Sequence, residues 1–186
     1  MMGGMHRVHL LTTGGTIEKR YVEQDGSMEN TVPQIRRCLS LMRLPNTEVT
    51  VEELMNIDSL IMTDDHRKLI AQRVLAQAIE GTAVLVTHGT DTMVETGKVV
   101  ADTLARHAGA GNVPVVFTGA MTPFGIEGSD ALQNLTEALL ATKLLHGGVH
   151  LVFHGEIFPI GNVRKDRENS RFLRTESGAA SSANRQ

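Results

Sequence analysis

The sequence holds one cysteine, Cys38, in 186 residues. A lone thiol excludes an intramolecular disulfide framework and a cysteine metal cluster, and a reducing compartment is its simplest home. Ile35, Cys38, Leu39 and Met42 recur at i, i+3, i+4 and i+7, so Cys38 reads as a core position on an amphipathic helix rather than as a nucleophile. No apolar stretch is long enough to cross a bilayer, and the N-terminus lacks the apolar region of a secretory signal. The expected setting is therefore cytoplasmic, with no membrane contact. Charge of one sign is not in excess either. The net charge is -3, and basic residues are scattered except near the C-terminus, which argues against nucleic acid and for a small-molecule ligand.

Several catalytic signatures are missing. There is no phosphate-binding P-loop, since "TTGGT" lacks the Lys-Ser/Thr ending, and no Gly-x-Gly-x-x-Gly dinucleotide fingerprint. Gly-x-Ser-x-Gly is absent, which argues against a serine α/β-hydrolase. His88 in "THGT" has no second histidine or carboxylate at zinc-like spacing and reads as a structural loop residue. The expectation is chemistry without metal or cofactor. The nine methionines sit among other apolar residues and read as core filler.

What the chain does have is a 41% hydrophobic composition, enough for one compact domain, and a clear rhythm. Short β-rich runs at 6–12, 48–54, 83–87, 113–118 and 149–153 alternate with helical patterns at 32–44, 64–80, 92–107 and 130–145. Thr63 suits the N-cap of the second helix, with Asp64 and Asp65 in its first turn, and Gly81 stops it. This alternation predicts a doubly wound, mainly parallel sheet with helices on both faces, a three-layer α/β/α single domain over 1–176. The ending 177–186, "SGAASSANRQ", is small and polar and is expected to be a disordered tail.

In such sheets ligands sit beyond the carboxyl ends of the strands. Those ends carry Thr12-Thr13-Gly14-Gly15-Thr16, then Asp58-Ser59, then "THGTDT" at 87–92 and "TGAMTPFG" at 118–125. Four strand ends thus deliver hydroxyl, glycine and carboxylate groups to one edge. A threonine hydroxyl becomes a nucleophile only when something removes its proton, and a tetrahedral oxyanion needs donors already in place. Glycines beside the threonine let the backbone approach a substrate closely. Each motif alone also has a plainer explanation. "TTGGT" can be a tight turn whose threonines satisfy backbone groups, and Asp91 can be a helix N-cap.

The three stretches "TTGGTI", "THGTDTMVET" and "TGAMTPFGIEGSDALQNL" resemble the N-terminal domain of bacterial-type L-asparaginases, amidohydrolases that convert asparagine to aspartate and ammonia. The resemblance runs from the first strand to about Thr175. It implies that Thr13 is a nucleophile and that Thr90, Asp91 and Lys165 of "GNVRKDR" form the second catalytic group. It further implies that Ser59 holds the substrate α-carboxylate, that Asp91 holds its α-amino group, that Ala120 lies beside the amide being cleaved, and that Gly14 contributes backbone to the substrate. The only tyrosine, Tyr21, is carried over as the loop tyrosine that supports the first threonine, although it lies early in that loop. Alone, Lys165 is equally a solvated lysine in a charged stretch.

Two departures accompany the resemblance. Family members usually carry a smaller second domain, which lends contacts to a neighbour's site and has no counterpart here, so a neighbouring protomer is expected as the lid of a homo-oligomer. Position 60, where the family prefers a polar residue, is Leu60. The leading expectation is an asparaginase-type amidohydrolase acting on L-asparagine. The alternatives are a non-catalytic asparagine or aspartate binding module and an amidohydrolase for glutamine or an amide on a larger molecule.

Overall fold

The structure, a computed structural model, describes residues 4–30 and 32–175. The expected tail at 177–186 lies outside the described residues. In chain order the elements are β1 (His6–Gly14), β2 (Arg20–Val22), β3 (Ser27–Glu29), α1 (Ile35–Ser40), β4 (Thr47–Ile57), α2 (Asp64–Ile79), β5 (Ala83–Thr87), α3 (Met93–Ala105), β6 (Pro114–Thr118), α4 (Ala131–Leu144), β7 (Gly148–Phe153), β8 (Glu156–Pro159), β9 (Val163–Asp166) and β10 (Arg171–Arg174).

Six strands form one sheet in the order β4-β1-β5-β6-β7-β8. The first five are parallel and β8 runs antiparallel at the edge. Alternate strand residues point to opposite faces, and the two faces are buried by different helices. Leu11, Val84, Val86, Val115 and Phe117 pack under α2 and α3 through Ile70, Val74, Val100 and Leu104. Val8, Leu10, Leu85 and Val116 pack under α1 and α4 through Ile35, Cys38, Leu135 and Ala138. The doubly wound α/β/α layering expected from the alternation is thus what the chain forms. Cys38 is buried in the second core, where burial raises its thiol to about 12.

The chain leaves β1 toward β4 on one side and returns across β1 to β5 on the other, so the strand order reverses between β1 and β5. That reversal opens a crevice beyond their carboxyl ends, where ligands of such sheets bind.

Some boundaries differ from the expectation. The first helix spans only Ile35–Ser40, although its period continues to residue 44. Leu39, Met42 and Leu44 pack against the core. Beyond Leu41, however, the chain turns through Pro45 and Asn46, whose φ of 57° is left-handed, so the periodicity reports packing rather than helix there. β8 was not anticipated because its turn is His154-Gly155, with φ of 50° and 81°. That is a two-residue hairpin with histidine where asparagine or aspartate usually signals one. Two small hairpins, β2–β3 and β9–β10, also escape the pattern because their strands have three or four residues.

Candidate active site

Three parallel strands end in a row of threonines, with Thr12 paired to Thr87 and Thr87 paired to Thr118. The next residue of β1, Thr13, is fully buried, and its hydroxyl donates to the Thr87 carbonyl at 2.9 Å. Attack on an external carbonyl therefore requires that hydroxyl to rotate off the strand. Gly14 and Gly15 follow with φ of 100° and 83°. A Cβ on Gly15 would lie 2.3 Å from the Gly89 nitrogen, so only glycine lets the loop after β1 touch the loop after β5. Gly89 in turn abuts Ser59, whose Oγ would sit 2.4 Å from a Cβ built there. The Thr92 hydroxyl donates to the Ser59 carbonyl at 2.9 Å, fastening the loop after β4 to the start of α3. Asp58 caps that loop by accepting from Leu60 N at 3.0 Å and receives Lys19 Nζ at 2.7 Å. Lys19 and the Leu60 amide together hold the Asp58 carboxyl below its usual range.

The opposite side of the site comes from β9. Lys165 Nζ donates to Thr90 Oγ1 at 2.7 Å and to Asp91 Oδ1 at 3.0 Å. Arg167, in the turn after β9, donates to the same Asp91 Oδ1 at 2.6 Å. The hairpin that carries both cations is anchored by Phe172, which is buried edge-on against Phe153 with ring centroids 5.1 Å apart. Its turn is tied by Asp166, which accepts from Asn169 Nδ2 at 2.8 Å and Arg171 Nε at 3.2 Å.

The loop after β6 closes the third side. Its backbone is set by Asp130, which accepts from the Met121 and Thr122 amides at 3.0 and 2.9 Å and from His154 Nε2 at 2.8 Å. Burial pushes the Asp130 carboxyl up, but these donors outweigh it and leave it below its usual value. Asn134 Nδ2 donates to the Gly119 carbonyl at 3.0 Å, and Ala120 beside it is fully buried. Gly119 packs on the His88 carbonyl, where a Cβ would lie 2.4 Å from the oxygen. Thr13, Gly14, Ser59, Thr90, Asp91, Ala120 and Lys165 are thus joined by one continuous chain of backbone and side-chain contacts.

Comparison with known proteins gives the family and the fold. Residues 7–174 match the family model described as "Asparaginase, N-terminal". The chain belongs to this family. An L-asparaginase of Thermococcus kodakarensis is 26% identical over 148 residues, covering 80% of this chain and 44% of that protein. A component of the glutamyl-tRNA(Gln) amidotransferase of Aeropyrum pernix is 32% identical over 163 residues, covering 81% of this chain and 35% of that one. The solved Thermococcus kodakarensis L-asparaginase superposes with a TM-score of 0.78 at 25% identity over 90% of this chain and 51% of that chain. The chain therefore spans about half, or less, of the length of the asparaginase-family proteins it matches.

Tyr21, carried over from the asparaginases, lies apart from the cluster, and Leu60, the departure from the family pattern, borders it. Tyr21, on β2, is 54% exposed and has no hydrogen-bond partner among the described residues. Leu60 is 63% exposed beside Ser59, and Ile61 next to it is equally open, so an apolar rim stands where the family prefers a polar side chain. His88, expected as a structural loop residue, is one, and Glu18 went unnoticed in the sequence. His88 is fully buried. Its Nδ1 donates to the Gly89 carbonyl at 2.8 Å, which leaves Nε2 to accept from the Thr96 hydroxyl at 2.9 Å. Burial, aided by the Arg67 charge, lowers its pKa to about 4, so it is a neutral strut of the "THGTD" loop. Glu18 is buried under the loop after β1 and accepts from the Gln34 and Ile35 amides at the start of α1, and burial raises its carboxyl. Its place just after "TTGGTI" was the only available signal. Among the described residues, no group of three or more His, Cys, Asp or Glu side chains could hold a metal ion, and no helix is long and apolar enough to cross a membrane.

Proposed function

We propose that this chain hydrolyses the side-chain amide of L-asparagine to L-aspartate and ammonia, with Thr13 as nucleophile. The observation that carries the reading is Lys165 Nζ, held 2.7 Å from Thr90 Oγ1 and 3.0 Å from Asp91 Oδ1 across 75 and 74 residues of sequence. An isolated turn or helix cap needs no such partner. Thr13 Oγ attacks the amide carbon, and its proton passes to the leaving nitrogen as the C–N bond breaks, releasing ammonia and leaving an acyl ester on Thr13. Water then attacks that ester, freeing the carboxylate and returning the proton to Thr13. Thr90 and Lys165 handle the proton on the side opposite Thr13, and the backbone at Gly14 and Gly15 and the buried edge at Ala120 enclose the reacting carbon. Ser59 receives the α-carboxylate and Asp91 faces the α-amino group.

A second reading is favoured by the match to the amidotransferase component and by the apolar rim at Leu60 and Ile61. The site would then act on glutamine or on an amide carried by a larger molecule. A homo-oligomer belongs to the proposal, supported by exposed Leu60, Ile61, Leu140 and Leu144. So does a cytoplasmic setting, supported by a solved relative, a probable cytoplasmic L-asparaginase of Campylobacter jejuni that is 31% identical at a TM-score of 0.66. Ammonia release from asparagine, glutamine and simple amides, measured on the purified protein, separates the readings. Release from asparagine in excess of the others supports the first, and preference for glutamine supports the second. Binding of aspartate without release of ammonia from any amide makes the chain a binding module and overturns both.

A further inference from the structure

Asp91 is already paired within the protein. Its Oδ1 accepts from Lys165 Nζ at 3.0 Å and from Arg167 Nη1 at 2.6 Å, and Arg167 Nη2 also reaches the Asp91 backbone carbonyl at 3.5 Å. Two fixed positive charges thus surround one negative charge. Lys165 is largely enclosed, whereas the Arg167 side chain is 63% exposed at the mouth and supplies the outer half of that pairing. Its position is not a chance of surface rotation, because it extends from a turn fastened by Asp166 on a hairpin anchored by Phe172. Asp91 Oδ2 has no hydrogen-bond donor among the described residues, so a ligand can still approach it. A ligand ammonium coming to that oxygen meets a local charge of about +1 rather than a free carboxylate.

We propose that Arg167 is a specificity-determining residue that tempers the preference of Asp91 for a free α-ammonium, so that side-chain amides without one are admitted beside asparagine. Succinamate and an asparagine acylated on its α-nitrogen share that chemistry. The inference rests on the reading that Asp91 faces the α-position of an amide substrate. It distinguishes Arg167 from Lys165, whose contact with Thr90 ties it to the reacting groups. An arginine fits this place because its guanidinium spans the carboxylate and the backbone carbonyl of one residue, which a lysine ammonium on the same turn would hold with a single point of charge.

The test uses two ligands that differ only in the α-ammonium, L-aspartate and succinate, titrated calorimetrically into the wild-type chain, Arg167→Ala and Arg167→Lys. Removing a partly exposed charge beside the binding oxygen should raise the aspartate-to-succinate affinity ratio about fivefold in Arg167→Ala. Arg167→Lys, which keeps the charge, should stay near the wild-type ratio. The gap should narrow at high salt, because the charge is exposed. Ammonia release from asparagine and from succinamate should move in the same sense. An unchanged or falling ratio in Arg167→Ala, with the wild type binding and turning over normally, overturns the inference and leaves the amidohydrolase reading standing. Failure of the wild type to bind either ligand or release ammonia from either amide overturns that reading, and the inference with it. Thermal unfolding of the variants shows that the change is local.

Discussion

The floor of the site and its outer wall are built in opposite ways. The floor is the strand-end row of Thr12, Thr13, Thr87 and Thr118 with His88 behind it, all buried; Thr13, Thr118 and His88 donate to backbone carbonyls, and glycines that admit no side chain close the loops around them. The wall is Asp91, at the end of the loop after β5, joined by charge to Lys165 on β9, a four-residue strand of a small hairpin, and to Arg167 in the turn that follows that strand. A floor of this kind cannot shift without disturbing both cores of the sheet, because its residues continue the strands that hold them apart. The wall can move with its hairpin, and its contacts weaken with salt in proportion to exposure. Rigid positioning of Thr13, the proposed nucleophile, and adjustable positioning of the charges are therefore assigned to different parts of the chain.

The largest expected effect tests whether both parts serve one reaction. Thr13→Ala and Thr90→Ala should each raise the barrier to ammonia release by at least about 3 kcal/mol while leaving the fold intact, the loss of the buried Thr13 hydrogen bond costing only about 1 kcal/mol of stability. Equal activity in either variant removes that residue from the mechanism, and with it one side of the contrast. Next comes Gly15→Ala, which places a Cβ against the Gly89 backbone at a φ of 83°. A stability loss of about 2–3 kcal/mol in urea unfolding is expected, together with loss of activity, because floor and fold are one object. A stable but inactive variant would mean that the floor is separable from the core.

The floor should also show itself in acid. His88 is neutral in the fold, with a pKa of about 4 against 6.5 for the free side chain, so the unfolded chain binds the extra proton first. Stability is therefore undiminished above pH 6.5 and falls as the pH drops toward 4, by up to about 3 kcal/mol. Glu18 works in the other direction. Its carboxyl is raised by burial, so its penalty is absent in acid and appears as the pH rises above 4.5, partly offsetting His88. Urea midpoints at pH 7 and pH 5 should differ in the wild type and less so in His88→Gln. The same slope in both would reassign the acid limb to other groups.

Smaller effects belong to the wall and rim. Phe172→Leu, which loosens the hairpin against Phe153, should cost about 1 kcal/mol in stability and about fivefold in ammonia release, because Lys165 rides on that strand. Activity that falls only in step with stability would show the hairpin to be as rigid as the floor. Leu60→Gln should lower the KM for asparagine by roughly 1 kcal/mol through a restored hydrogen bond beside Ser59. A higher KM would show that the apolar rim itself binds part of the substrate.

The residues readable in advance are those of the floor, for a reason that lies in the chain itself. A parallel strand must end, and in "LLTTGGTIEK" the apolar period stops where hydroxyls and glycines begin, so Thr13 to Gly15 announce a turn at the ligand edge. "THGTDT" does the same after β5. Of the wall, Asp91 lies in that motif, Lys165 was named only through the family resemblance, and Arg167 gave no sign. Lys165 and Arg167 lie in a charged stretch whose strands are too short for a period, and only the docking of Phe172 turns that stretch toward Asp91. Asp130 and Asn134 read as ordinary residues at the start of α4, since their partners at Gly119, Met121, Thr122 and His154 come from two other segments.

By itself the sequence determined the α/β layering, the buried place of Cys38 and the threonine-glycine motifs at the strand ends, because local period and turn chemistry act over neighbouring residues. Tertiary structure alone decided that Thr13 faces Thr87, that Thr96 is the side chain that braces His88, and that Lys165 and Arg167 meet on one oxygen of Asp91. Those contacts join segments far apart in the chain, and only the packing of the sheet and its hairpin brings them within reach.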